Sequence, residues 1–123
     1  MSPVPRVGID LLEIDRLERA LERRPRLAER LFTAGERAYA ERHSRPAQHL
    51  AARFCAKEAA TKALGLSLLR PLEIEVESLA DGSPVLRLSG ATAAAAAELG
   101  VGLGCSLTHS KLTAGAVVVG GPA

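Results

Sequence analysis

Residues 47–64 run for 18 positions without a glycine or proline, and Ala, Leu, Arg, Lys, Gln and Glu fill most of them. All six are good helix formers, so this stretch specifies a helix of about five turns. Gly65 stands where a left-handed terminal cap belongs. The rest of the chain must be laid around this rod. It brings few large side chains to the task, since Phe32, Tyr39 and Phe54 are the only aromatics and there is no Trp. A core of Leu, Val, Ile and many Ala suits closely packed helices, and it does not suit a stacking platform for nucleic-acid bases. On the helix, Glu58 falls roughly 20° from Ala51, 40° from Phe54 and 60° from Cys55, so it projects from the apolar stripe. A carboxylate there is costly unless it is paired or holds a cation. Lys62 lies one turn on and can pair with Glu58 at i, i+4. Arg53 and Lys57 point elsewhere and read as solvated helix charges.

The other elements follow from spacing. Arg6–Asp10 reads as a short strand with Val7 and Ile9 on one face and Gly8 and Asp10 on the other. Ile14, Leu17 and Leu21 recur at helical spacing, with Arg16, Arg19 and Arg23 on a different side, until Pro25. Leu27 and Leu31 suggest a further helical turn. Thr33-Ala34-Gly35-Glu36 fits a capping box for a helix to about Glu41, and Pro46 starts the long helix. Residues 72–77 alternate strictly, Asp81-Gly82 turns the chain, and residues 85–88 return as the partner strand. Residues 91–99 form an Ala-rich helix closed by Gly100. Strands near 103–108 and 113–119 follow, and residues 120–123 read as a tail. The order gives an α+β chain, an antiparallel sheet packed on helices. Its 123 residues suit one domain over residues 1–123, able to bury about two thirds of the unfolded surface.

Charge is uneven beneath a net of +2. Residues 1–64 hold 13 Lys+Arg and 9 Asp+Glu, and residues 65–123 hold 3 and 5. The first half invites an acidic or phosphorylated partner. Cys55 and Cys105 form no metal-spaced motif and read as reduced thiols of a cytoplasmic protein. Pro3, Pro5, Arg6 and Asp10 interrupt any leader-like apolar run, and no stretch reaches the roughly 20 apolar residues of a membrane span. Asp10, at a strand end, can be an N-cap of the next helix or a site carboxylate. His109 can be an ordinary turn histidine, and nothing singles out His43 or His49. The glycines of 100–104 lack dinucleotide-site spacing and precede a strand. A basic nucleic-acid-binding module is the reading of another class, resting on the basic half alone and opposed by the few aromatics and the acidic hairpin.

Four segments taken together point further. Residues 8–16 (GIDLLEIDR) resemble the opening motif of the holo-acyl-carrier-protein synthases, the small 4′-phosphopantetheinyl transferases. Residues 32–36 (FTAGE), 53–65 (RFCAKEAATKALG) and 106–110 (SLTHS) with Ala114 and Ala116 are similar to that family's later motifs, in order and spacing over nearly the whole chain. The resemblance implies the 4′-phosphopantetheinyl transferase fold. It also implies transfer of the phosphopantetheine arm of coenzyme A to a serine of apo acyl carrier protein, releasing adenosine 3′,5′-bisphosphate, within fatty acid biosynthesis. A carrier domain of a polyketide or peptide synthetase is the alternative acceptor. By motif match, Asp10 and Glu58 would hold Mg²⁺. Glu58, Lys62 and His109 would serve catalysis, with Glu58 or a water it orients taking the serine proton. Arg45, Arg53, Lys62, Gly65 and His109 would bind coenzyme A. Arg16 matches the family motif, and with Arg19 and Arg23 from the helical-face argument it would dock the acidic carrier. A homotrimer with interfacial sites is implied, one subunit's central helix sharing a site with another's opening strand. The chain departs from the family pattern at Ser67, where a glycine is common, and in the short connection 66–72.

Overall fold

The computed structural model describes residues 4–123, so Pro3 lies outside the described residues. Along the chain come β1 (Arg6–Glu13), α1 (Ile14–Arg23), α2 (Leu27–Leu31), α3 (Ala34–Glu41), α4 (Pro46–Ala63), β2 (Ile74–Ser78), β3 (Pro84–Leu88), α5 (Gly90–Leu99), β4 (Val101–His109) and β5 (Thr113–Pro122). The fold is α+β. Its strands form two antiparallel sheets: three strands in the order β1-β5-β4, and the separate β2-β3 hairpin. The capping box at Thr33 and Glu36 is formed on both sides, and Gly65 and Gly100 take left-handed backbone at φ +68°.

Helix α4 is wrapped rather than laid on a surface. Twelve of its 18 residues are buried, seven of them alanines. A helix covered nearly all round needs small side chains so that neighbouring backbones can approach. The closest approach is at Gly8 of β1, where an added Cβ would collide with the Ala59 carbonyl. Backbone cannot swing aside as a side chain can. Gly8→Ala is therefore expected to lower stability by about 3 kcal/mol, at the upper end for overpacking, as read from denaturant midpoints.

Several boundaries differ from the spacing argument, each for a local reason. β1 continues to Glu13, because all eight of its residues find partners on β5, from Arg6↔Gly120 to Glu13↔Thr113. Asp10 thus sits within a strand and caps no helix; the N-cap of α1 is Glu13, which makes no side-chain cap bond. β2 starts at Ile74, not 72, since Pro71–Glu73 forms a 3-10 turn held by Lys57 Nζ, which donates to the carbonyls of Pro71 at its start and Ile74 just past its end. Residues 120–123 are no free tail: β5 runs to Pro122, and the Ala123 amide donates to the Gly100 carbonyl at 2.9 Å. Glycines there allow close pairing, as Gly120 has Leu103 on one side and Arg6 on the other.

Candidate active site

The approach at Gly8 has a consequence two residues on. Asp10 shares the Gly8 face of β1 and so faces α4, where it meets Glu58. Both carboxylates line one groove of about 360 Å³, walled by Leu12, Leu17, Leu31 and Phe54, with Arg16 at its side. Lys62 does not pair with Glu58 as helical spacing suggested. Its Nζ donates to the Ile9 carbonyl at 3.0 Å and reaches Asp10 Oδ1 at 3.4 Å, because β1 offers a backbone acceptor. Among the described residues Glu58 therefore has no hydrogen-bond partner, and the ion pair expected for it is absent. Burial raises its carboxyl above the ordinary range, and Asp10 adds to this against the opposing pull of Lys62. Behind the groove, burial and Asp10 push the Cys55 thiol up to about 12, so it is an inert packing group.

Asp10 and Glu58 are the residues that could hold a divalent cation shared with a ligand. Among the described residues no three His, Cys, Asp or Glu side chains are grouped to hold an ion by themselves. A pair of carboxylates, one lacking a protein partner, fits Mg²⁺, which binds one or two carboxylates together with phosphate oxygens and water.

A second group of expected residues assembles elsewhere on α4. His109, at the end of β4, lies 5.7 Å centroid to centroid from His49. The turn after it is tied to the start of α4: Gln48 Nε2 donates to the Ser110 carbonyl at 3.1 Å and Arg45 Nη1 to the Lys111 carbonyl at 2.6 Å. Arg45 also pairs with Asp15 of α1 at 3.1 Å. His49 precedes Glu58 by nine positions, so it lies roughly 13 Å along the helix and on the opposite side of it. One chain thus brings Asp10, Glu58 and Lys62 together and keeps His109, Arg45 and Arg53 apart from them. β1 and α4 of the same chain carry the two carboxylates.

Arg53 and Lys57 are not solvated. Arg53 is 4% exposed, stacks 4.0 Å over the Tyr39 ring and donates from Nη2 to Ser78 Oγ, leaving its buried Nε without a partner. Lys57 is fully buried against Glu36. Periodicity assigned them water because it placed the wet side away from Glu58, whereas Phe54, Glu58 and Lys62 keep some exposure and the side with Arg53 and Lys57 is covered. His43 and His49 were overlooked too. The signal was available in part: Tyr39 and His43, and His49 and Arg53, stand at i, i+4. Arg16, Arg19 and Arg23 are exposed, as a docking stripe requires, and Arg23 continues into a cleft with Arg24, Arg26 and Arg30. No described helix is long and apolar enough to cross a membrane.

Comparison with known proteins gives this geometry a family. The model of the 4′-phosphopantetheinyl transferase superfamily matches residues 6–116. A holo-[acyl-carrier-protein] synthase of Streptomyces griseus is 50% identical over 117 residues, 92% of this chain and 94% of that one. One from Moorella thermoacetica is 46% identical over 115 residues, 91% and 90% of the two chains. Among solved structures, the Bacillus anthracis synthase in complex with CoA (3′,5′-ADP) superposes with a TM-score of 0.80 at 32% identity, covering 98% of this chain and all of that one. The CoA complex of the Chronobacterium ammoniagenes enzyme gives 0.87 at 30% identity, covering 98% and 99%.

Proposed function

This chain belongs to the holo-[acyl-carrier-protein] synthases of the 4′-phosphopantetheinyl transferase superfamily, and we propose that it runs their reaction with Asp10, Glu58 and Lys62 at its centre. The observation that carries this reading is Glu58: a carboxylate raised by burial, without a protein partner, in one groove with Asp10. The hydroxyl oxygen of the carrier's serine attacks the pantetheine-side phosphorus of coenzyme A. The bond to the adenosine-side phosphate breaks, and adenosine 3′,5′-bisphosphate leaves. Asp10 and Glu58 would hold Mg²⁺, which when bound neutralises charge on the diphosphate. Lys62, anchored on the Ile9 carbonyl, is placed to stabilise the charge that develops on the leaving phosphate. The serine proton goes to Glu58 or to a water it orients, a role that a raised carboxyl favours. Arg45, His109 and Gly65 would receive the rest of the coenzyme, with Arg53 adding its charge from behind Tyr39. Arg16, Arg19 and Arg23 would dock the acidic carrier and speed encounter. A single domain, a cytoplasmic place of action and a role in fatty acid biosynthesis accompany this reading.

Purified protein, Mg²⁺, coenzyme A and apo acyl carrier protein test it directly. The carrier should gain the mass of one phosphopantetheine arm. No gain on any carrier, polyketide and peptide synthetase domains included, would overturn the reading.

We also propose a homotrimer. Val7, Ile9 and Leu11 on the outer face of β1 are 56–69% exposed, and Val119 on β5, opposite Val7, continues the patch. Contiguous apolar strand faces of this kind mark an interface, and a closed ring of like contacts would cover all copies. It would also set His109 and Arg45 of one copy beside the Asp10–Glu58 groove of the next, which one chain cannot do. Ile9→Lys is expected to yield a folded monomer without transferase activity. Sedimentation reads the first and the carrier assay the second; a fully active monomer would sink the interfacial site.

A further inference from the structure

All three histidines of the chain gather at the N-terminal end of α4: His43 from the connection before it, His49 from the helix itself and His109 from the end of β4. The His43 and His49 rings lie with centroids 4.0 Å apart at a tilt of 37°, and His49 meets His109 at 5.7 Å and 72°. Tyr39 closes the array, 4.7 Å from His43 and 5.8 Å from His49. The titratable and charged groups around His49 are Tyr39 of α3, Arg42 and His43 just after it, Arg53 one turn along α4, and His109 of β4. None is a carboxylate. Asp15 and Glu18 of α1 are engaged with Arg45 instead.

Tautomer chemistry limits what such an array can do. His43 Nδ1 lies 2.9 Å from the Tyr39 carbonyl, so it must carry the proton that makes this bond. In the neutral ring its Nε2 is then only an acceptor, and donating to an anion requires a second proton. His49 makes no hydrogen bond through either ring nitrogen among the described residues. Burial, and then the like charges of His43, His109 and Arg53, hold His49 below the ordinary histidine value. A proton is thus costly here until an anion offsets the surrounding positive charge.

We propose that the His43–His49–His109 array is a proton-coupled phosphate site: His49 positions the His109 ring in the free protein, and the array takes up a proton when a phosphate of coenzyme A binds against it. This rests on the reading in which His109 meets the coenzyme's phosphates. It adds two residues to that site, His43 and His49, and a pH dependence. The proton comes from solvent, and no covalent bond changes. Because His49 is lowered in the folded chain, its protonation opposes folding. The penalty is absent above its unfolded value and complete once pH has fallen through the folded one.

Calorimetry in buffers of different ionisation enthalpy, with adenosine 3′,5′-bisphosphate and with coenzyme A, tests the proposal on the full chain. NMR titration of the three histidines accompanies it. Wild type should take up protons on binding, and the His49 midpoint should rise when either ligand is added. His49→Phe keeps a ring and removes the proton; His49→Gln keeps polarity should Phe disturb packing. Both should lose proton uptake and bind coenzyme A about tenfold more weakly below neutral pH, the scale of one charge-assisted hydrogen bond. KM should rise with kcat retained at saturation. Unchanged proton uptake and affinity in both variants would overturn the proposal and leave the transferase reading standing. Failure of the wild type to bind either ligand would overturn both.

Discussion

Glu58→Gln is expected to lower the rate of transfer by at least about 10²-fold while leaving the fold intact. The scale is that of deleting one preorganised group that stabilises transition-state charge. The side chain keeps its shape, so Phe54, Leu12 and the groove wall are not disturbed. What is lost is a charge that the folded chain holds at a cost, since burial and Asp10 raise the carboxyl above its ordinary value. The sign for stability follows. A carboxyl raised in the fold is ionised more readily in the unfolded chain, so its ionisation opposes folding as pH climbs past the unfolded value. The amide variant should therefore be as stable as wild type in acid and equal or slightly more stable at neutral pH. Thermal unfolding across that range and the carrier assay check the two halves. A fully active Glu58→Gln would show that the carboxylate serves only structure.

Lys57→Met should show the largest loss of stability, about 3–5 kcal/mol, because it strands a buried carboxylate. Lys57 Nζ spends its three donors on Glu36 Oε1 at 2.8 Å and on the Pro71 and Ile74 carbonyls, each at 2.7 Å. Glu36 in turn accepts from the Thr33 and Val76 amides at 2.9 and 2.8 Å. One ion pair thus ties the start of α3, the middle of α4, the 3-10 turn and β2. Burial pulls the lysine below its ordinary value, and Glu36 opposes this. Against a typical total of 5–15 kcal/mol the loss is severe. The double variant Lys57→Met, Glu36→Leu removes both charges and should recover much of it, giving a coupling of more than about 1 kcal/mol in a double-mutant cycle. Additive effects, or a single-variant loss under about 1 kcal/mol, would show that the pair holds nothing together.

Much of the fold was legible along the chain because its signals are local. The capping box at Thr33, Pro46 at the start of α4, and the left-handed glycines at 65 and 100 each act within a few residues. Motif resemblance singled out Asp10, Glu58, Lys62 and His109, of which one chain gathers the first three and sets His109 against His49. Lys57 and Arg53 were misread because periodicity cannot tell a wet face from one covered by a second layer. The extension of β5 through Gly120 and Gly121 was missed because glycine has no side chain to alternate.

The amino-acid order by itself determined the succession of the elements and several of their caps, and it placed Glu58 on one side of α4 with Phe54 and Lys62. Only the tertiary structure decided what meets what. Gly8 lets β1 press against α4, so Lys62 turns to Ile9 and Asp10 and leaves Glu58 unpaired. Wrapping by β2 and α3 turns Lys57 from a surface charge into a buried pair with Glu36. The return of β4 brings His109 onto His49, 60 positions earlier. The physical reason is common to all three. Capping and helical spacing are short-range, whereas desolvation and ion pairing depend on which distant segment arrives, and the code for that arrival is spread over small residues with little signal of their own.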